Sequence, residues 1–151
     1  MFKKILKTLL LILWLTLIYY FSSQSGTISS NTSGRLLVLI GNFLKVSDIE
    51  SFVSSFSFLI RKTAHFTEYF ILFLISINCF KEYSTSNKIA IIALIFCVLC
   101  ASFDEFHQLF VDGRSGQVKD VLIDSCGSAF SFLLWHLFKK WKKDKCQEKR
   151  L

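Results

Sequence analysis

Asp104, Glu105, His107 and Gln108 stand at the end of Ile89–Phe103, fifteen residues without a charge. Burying such groups without partners is costly, so other parts of the chain must supply them. Two further apolar stretches carry the same kinds of group at their starts. Arg61, Lys62, His65, Glu68 and Tyr69 lie where Phe66–Phe80 begins, and Asp120 and Asp124 lie where Val121–Phe138 begins. Carboxylates beside imidazoles can pass protons, and together they offer the nitrogen and oxygen ligands that divalent metals accept. Arg61, Lys62 and Arg114 can instead donate charge-assisted hydrogen bonds to a phosphate. A third reading is structural, an ion-pair network that joins helices where lipid supplies no hydrophobic drive. No spacing here has a metal signature such as HExxH, so neither a metal nor another cofactor is assigned. No Ser or Cys has an evident base partner, and no catalytic residue is named.

Helical geometry brings these groups together. At 100° per residue, Arg61, His65 and Glu68 fall within about 60° of one another, with Lys62 and Tyr69 on a neighbouring stripe. Asp104, His107 and Gln108 share a face, with Glu105 beside it, and Asp120, Asp124, Gly127 and Ser131 line up on a third helix. A helix needs about 20 residues to cross the hydrocarbon core. Counting back from Lys81 and Lys139, and forward from Lys88, leaves Glu68, Asp104 and Asp124 submerged at the same end. The loop VDGRSGQVKD, turn-rich through Gly113 and Gly116, is expected to fold Arg114 back over them.

The elements that must do this positioning are membrane spans. Of 151 residues, 52% are hydrophobic and only 19% charged, with 17 Phe and no Pro, against about 25% charge in a soluble domain. The expected fold is all-α, a polytopic membrane protein in one domain over 1–151. Its four spans are placed at about 5–21, 62–80, 89–107 and 120–138, followed by a basic tail over 139–151. Residues 22–34, rich in Ser, Thr and Gly, read as a loop. Leu36–Leu44 and Phe52–Ile60 are too short to span and read as one or two helices lying in the interface. The first run, after MetPheLysLys, also resembles a signal peptide, but Tyr19-Tyr20-Phe21 fits the aromatic belt of a retained span. Trp14, Trp135 and Trp141 read as interface anchors and His136 as a packed or interfacial residue. Cys79, Cys97, Cys100 and Cys126 sit inside apolar runs and read as small packing residues, not disulfides or redox centres.

Orientation follows from Lys and Arg. With four spans and the N-terminus inside, twelve of the 18 fall on the cytoplasmic side, from Lys3 through Lys81 and Lys88 to the tail with Lys149 and Arg150. The other six are Arg35, Lys45, Arg61, Lys62, Arg114 and Lys119. Both termini are then cytoplasmic, in the cytoplasmic membrane, and the polar cluster faces outward. This topology accounts for the +7 net charge without nucleic acid, and the basic tail can touch anionic lipid.

At "FSSQSG" (21–26), "RKTAHFTEY" (61–69) and "DEFHQLFVDGRSGQVKDVLIDSCG" (104–127) the chain resembles the VanZ-like family of small bacterial membrane proteins. The likeness covers most of the chain, except 35–58 and the tail. The founding member is associated with low-level resistance to the glycopeptide teicoplanin, which implies an activity at the outer face, where cell-wall precursors meet the drug. The family has no agreed catalytic mechanism, so no residue is carried over as catalytic. The expected function is binding of a lipid-linked envelope component or anionic lipid in the polar pocket. Its rivals are a membrane-embedded acid/base or metal-assisted hydrolase or transferase, and a non-catalytic scaffold subunit.

Overall fold

The structure, a computed structural model, describes residues 1–86 and 88–148. The described residues form five helices and no strand: α1 (Phe2–Ser22), α2 (Gly26–Phe43), α3 (Ile49–Phe80), α4 (Ile89–Gln108) and α5 (Val118–Glu148). All but α2 are long and apolar enough to cross a membrane. They run up, down, up and down. Lys7 near the start of α1 pairs with Glu82 just beyond α3, and that hydrogen bond holds the Glu82 carboxyl below the usual carboxylate range. At the same end the Lys81 and Lys139 ammonium groups lie 4.5 and 5.4 Å from the ring of Trp135.

α3 packs against every other helix. It buries Tyr69, Leu72, Phe73, Ser76 and Ile77, a stripe at the helical period. α4 answers with Ala93, Cys97 and Ala101, four residues apart and fully covered. α5 approaches α3 through small residues, as lipid-embedded helices commonly do. A Cβ on Gly127 would lie 2.2 Å from the Phe66 carbonyl oxygen, so only glycine permits this spacing. One residue on, Ser128 Oγ donates to the Tyr69 carbonyl at 3.2 Å. The outward surface is apolar: Leu9, Leu13, Ile95, Leu99, Phe103, Leu122 and Leu137 are all exposed. A water-soluble fold would hide these side chains, whereas a bilayer solvates them.

The stretch between the first two spans departs from expectation. Residues 26–34 are helical, not a loop. Ser25 caps α2 by accepting from the Ile28 amide at 3.5 Å, and Thr32 and Ser33 return their hydroxyls to the carbonyls of Ile28 and Ser29. Satisfying hydroxyls in this way removes their competition with the helical backbone. Phe52–Ile60 is no separate helix either. Asp48 caps α3 by accepting from the Ser51 amide at 3.0 Å, and nothing between Ile49 and Phe80 breaks the helix. At 1.5 Å per residue α3 is about 48 Å long against a hydrocarbon core of about 30 Å. Its first turns therefore project beyond the core, and α2 packs on them. At the other end α5 runs on as an exposed helix through the basic tail to Glu148. Lys149 and Arg150, counted with the tail, lie outside the described residues.

Two smaller readings also change. Trp14 is an inner strut and not an interface anchor, since its indole N–H donates to the Glu68 carbonyl at 3.2 Å. Cys126 is exposed, whereas Cys79 and Cys97 are buried, and all five cysteines are free. Trp135 and Trp141 do lie at the basic end, each under a lysine, and His136 stacks on Phe132.

Candidate functional site

The end of the bundle beneath α2 holds a cavity of about 370 Å³. Its walls come from five parts of the chain, and each contributes through its helical register. α3 presents Ile60, Arg61, Ala64, His65 and Glu68, α4 presents Asp104, and the α4–α5 loop presents Arg114. The end of α1 gives Ile18, Phe21 and Ser22, followed by Gln24. α2 closes the top with Ser29, Thr32, Ser33 and Leu36, spaced i, i+3, i+4 and i+7 along its inner face. The ionisable groups thus come from α3, α4 and the α4–α5 loop, while α1 and α2 add apolar side chains and neutral polar groups.

Of the twelve residues expected to converge, Arg61, His65, Glu68, Asp104 and Arg114 line this space. Asp124 lies behind them. It is 0% exposed, and its Oδ1 is 3.7 Å from His65 Nδ1. Asp104 accepts from Gln108 Nε2 at 3.1 Å, one turn further along α4, so Gln108 fixes the carboxylate. Glu105 is turned toward the loop, where Oε2 accepts from the Gln117 amide at 2.9 Å. Lys62 pairs with Asp120 and covers the ring of Phe58. Tyr69 is buried in the core with no exposed surface. His107 faces α1 instead, within 3.2 Å of Ser23 Oγ and 4.8 Å from the Tyr19 ring centre. Tyr69, Lys62, Glu105, His107, Gln108 and Asp120 therefore surround the chamber and do not line it.

Arg114 does fold back, and it does so onto α1. Its Nε donates to the Gln24 carbonyl at 3.1 Å and its Nη2 to the Phe21 carbonyl at 3.2 Å. Carbonyls at a helix C-terminus lack intrahelical donors and carry the negative end of the dipole, so a guanidinium is well placed there. Burial, and then the neighbouring Arg61 charge, draw the Arg114 guanidinium below its usual pKa. The same loop meets the start of α2. The Gly26 amide donates to the Asp112 carbonyl at 3.0 Å, and a Cβ on Gly26 would fall 1.9 Å from the Gly113 oxygen. "FSSQSG" and "VDGRSG" are thus two halves of one joint.

The groups left unmatched matter as much. Arg61 makes no hydrogen bond or ion pair to any described residue, although Glu68 and Asp104 line the same chamber. Both oxygens of Asp124, His65 Nδ1 and Glu105 Oε1 are buried and have no hydrogen-bond partner among the described residues. His65, Asp104 and Asp124 each bring a ligand atom within 4.8 Å of the others. The sequence reading missed the contribution of α2. Its signal was present in the helical spacing of Ser29, Thr32, Ser33 and Leu36 behind a capping serine.

A family model described as VanZ/LLP1 matches residues 7–139. This range contains every lining residue of the chamber. No curated protein and no solved structure matches the chain.

Proposed function

The chain belongs to the VanZ/LLP1 family as a multi-pass membrane protein, and we propose that its chamber binds the anionic headgroup of a lipid-linked cell-envelope component. Binding takes place at the outer face of the cytoplasmic membrane and modulates sensitivity to glycopeptides such as teicoplanin. The observation that carries this reading is Arg61, a guanidinium with no partner among the described residues, in a chamber whose remaining wall mixes apolar side chains with neutral hydroxyls. Guanidinium presents donors in a fork that matches phosphate. Ile18, Phe21, Leu36 and Ile60 offer the first carbons of a lipid tail an apolar wall. The Ser and Thr hydroxyls of α2 supply neutral hydrogen bonds to the sugar or ester part of a headgroup.

The test uses the protein in nanodiscs, with native mass spectrometry to count retained lipids. A polyprenyl phosphate should be retained in preference to phosphatidylcholine. Arg61→Gln should weaken that retention about tenfold, the loss of one charge-assisted contact, while leaving the melting temperature near that of the parent. Equal retention by parent and variant would remove Arg61 from the proposal. In cells, deletion should change teicoplanin sensitivity and re-expression should restore it. Unchanged sensitivity would detach the glycopeptide role from lipid binding.

A further inference from the structure

Asp124 lies in the second turn of α5, fully buried, with neither carboxylate oxygen hydrogen-bonded to a described residue. Two of the three cations of this cluster are committed elsewhere, and the third, Arg61, makes no ion pair with Asp124. Lys62 pairs with Asp120, and Arg114 serves the carbonyls of Phe21 and Gln24. His65 Nδ1 is 3.7 Å from Asp124 Oδ1, beyond hydrogen-bonding distance, and is likewise buried and unpartnered. Asp104 completes a triangle in which the three ligand atoms lie within 4.8 Å of one another. Asp104 Oδ2 accepts from Gln108 Nε2, the kind of outer contact that orients a ligating carboxylate.

We infer that His65, Asp104 and Asp124 form a binding site for one divalent transition-metal ion at the floor of the chamber. Tetrahedral bonds of about 2.0–2.2 Å put ligand atoms about 3.3–3.6 Å apart. The 3.7 Å between His65 and Asp124 is close to that, and side-chain torsion closes the remaining separations. One imidazole nitrogen with two carboxylates selects zinc, manganese or iron(II) over calcium and magnesium, which prefer all-oxygen shells. Two carboxylate ligands balance a doubly charged ion, and the ion would give the orphaned oxygens of Asp124 a partner. Three protein ligands leave a position open. Because His65 and Asp104 both line the chamber, the open position faces it and can take water or an anionic oxygen. The site stands whether or not the chamber also takes a lipid.

The experiment uses full-length protein without a polyhistidine tag, in phosphatidylcholine nanodiscs, titrated with Co²⁺ and separately with Zn²⁺. One Co²⁺ per chain should bind with the visible absorption of a low-coordinate site, and Zn²⁺ should raise the melting temperature. Asp124→Asn should lose more than about a hundredfold in affinity, beyond the range typical of outer-shell changes. Glu50→Gln, on the exposed first turn of α3, should bind as the parent does. His65→Cys keeps three ligands at a partly exposed position and should produce a thiolate-to-Co²⁺ charge-transfer band, so the site remains testable even where Asp124→Asn fails to fold. The inference is overturned if the parent shows neither the Co²⁺ spectrum nor the Zn²⁺ stabilisation. It is equally overturned if Asp124→Asn binds like the parent, or if folded His65→Cys gives no charge-transfer band. No anionic lipid is present in this test, so its outcome is separate from that of lipid binding.

Discussion

Two hydrogen bonds tie Arg114 to carbonyls at the end of α1, and they give this side chain a structural duty alongside its place in the chamber wall. Arg114→Ala should lower stability by about 1.5–3 kcal/mol, the range for hydrogen bonds from a charged donor. Arg114→Lys should recover part of this, because a single ammonium cannot reproduce the fork that reaches both carbonyls. Thermal melts in a fixed detergent check both. An alanine variant as stable as the parent would show that α1 is held without this residue. The glycines around Arg114 made a returning loop legible in the sequence, but the acceptors were not, because backbone carbonyls have no residue-type signal. Asp124 illustrates the same limit from the other side. Its place on a stripe with Gly127 and Ser131 could be read from spacing. Its convergence with groups of α3 and α4 at the same end was also expected, but that His65 and Asp104 are the ones within 4.8 Å of it is a tertiary fact, with the three side chains on three helices.

At the scale of the helix, the close approach of α5 to α3 leaves no room for a side chain. A Cβ at Gly127 would lie 2.2 Å from the Phe66 carbonyl oxygen, and backbone cannot rotate away as a side chain can. Gly127→Ala should force α3 and α5 apart, at a cost of about 1–3 kcal/mol typical of overpacking. The change should also loosen the chamber, since His65 and Asp124 sit across this same contact. The prediction is a lower melting temperature together with faster labelling of a cysteine placed at Ala64. Labelling and melting identical to those of the parent would contradict the packing. Helices α1, α3, α4 and α5 were legible because their apolar runs are long and uninterrupted. The second half of α2 was expected as a helix, but the first half was not, because Ser, Thr and Gly signal a loop by composition, and only capping by Ser25 and back-bonding by Thr32 and Ser33 turn them into a helix. The continuity of α3 was hidden for a related reason. Serines at 51, 54, 55 and 57 dilute its first half, yet Ser54 and Ser57 satisfy their hydroxyls on backbone carbonyls of the same helix.

Over the whole molecule, four crossings in alternating direction place Met1 and the end of α5 at one end, and the chamber with its α2 roof at the other. The Lys7–Glu82 pair and the lysines over Trp135 mark the first end. Charge follows the same division. Lys3, Lys4, Lys7, Lys81, Lys88 and the lysines from Lys139 to Lys145 gather at the end with Met1 and the end of α5, while the chamber end has basic residues interspersed with Asp48, Glu50, Asp112 and Asp120. Short basic segments beside spans resist translocation, and acidic residues contribute little to that choice. The expected topology is therefore both termini in the cytoplasm and the Asp112–Gly113 turn outside, which sets the chamber toward the extracytoplasmic leaflet. A reporter active only in the cytoplasm should work when fused after Glu148, and a membrane-impermeant maleimide should label Asp112→Cys on intact cells. The parent's cysteines should stay unlabelled under the same treatment, since none lies in the segments expected outside. Labelling of a terminal cysteine on intact cells, with Asp112→Cys protected, would invert the molecule. It would place the chamber against the cytoplasmic leaflet, where the proposed encounter with glycopeptides cannot take place.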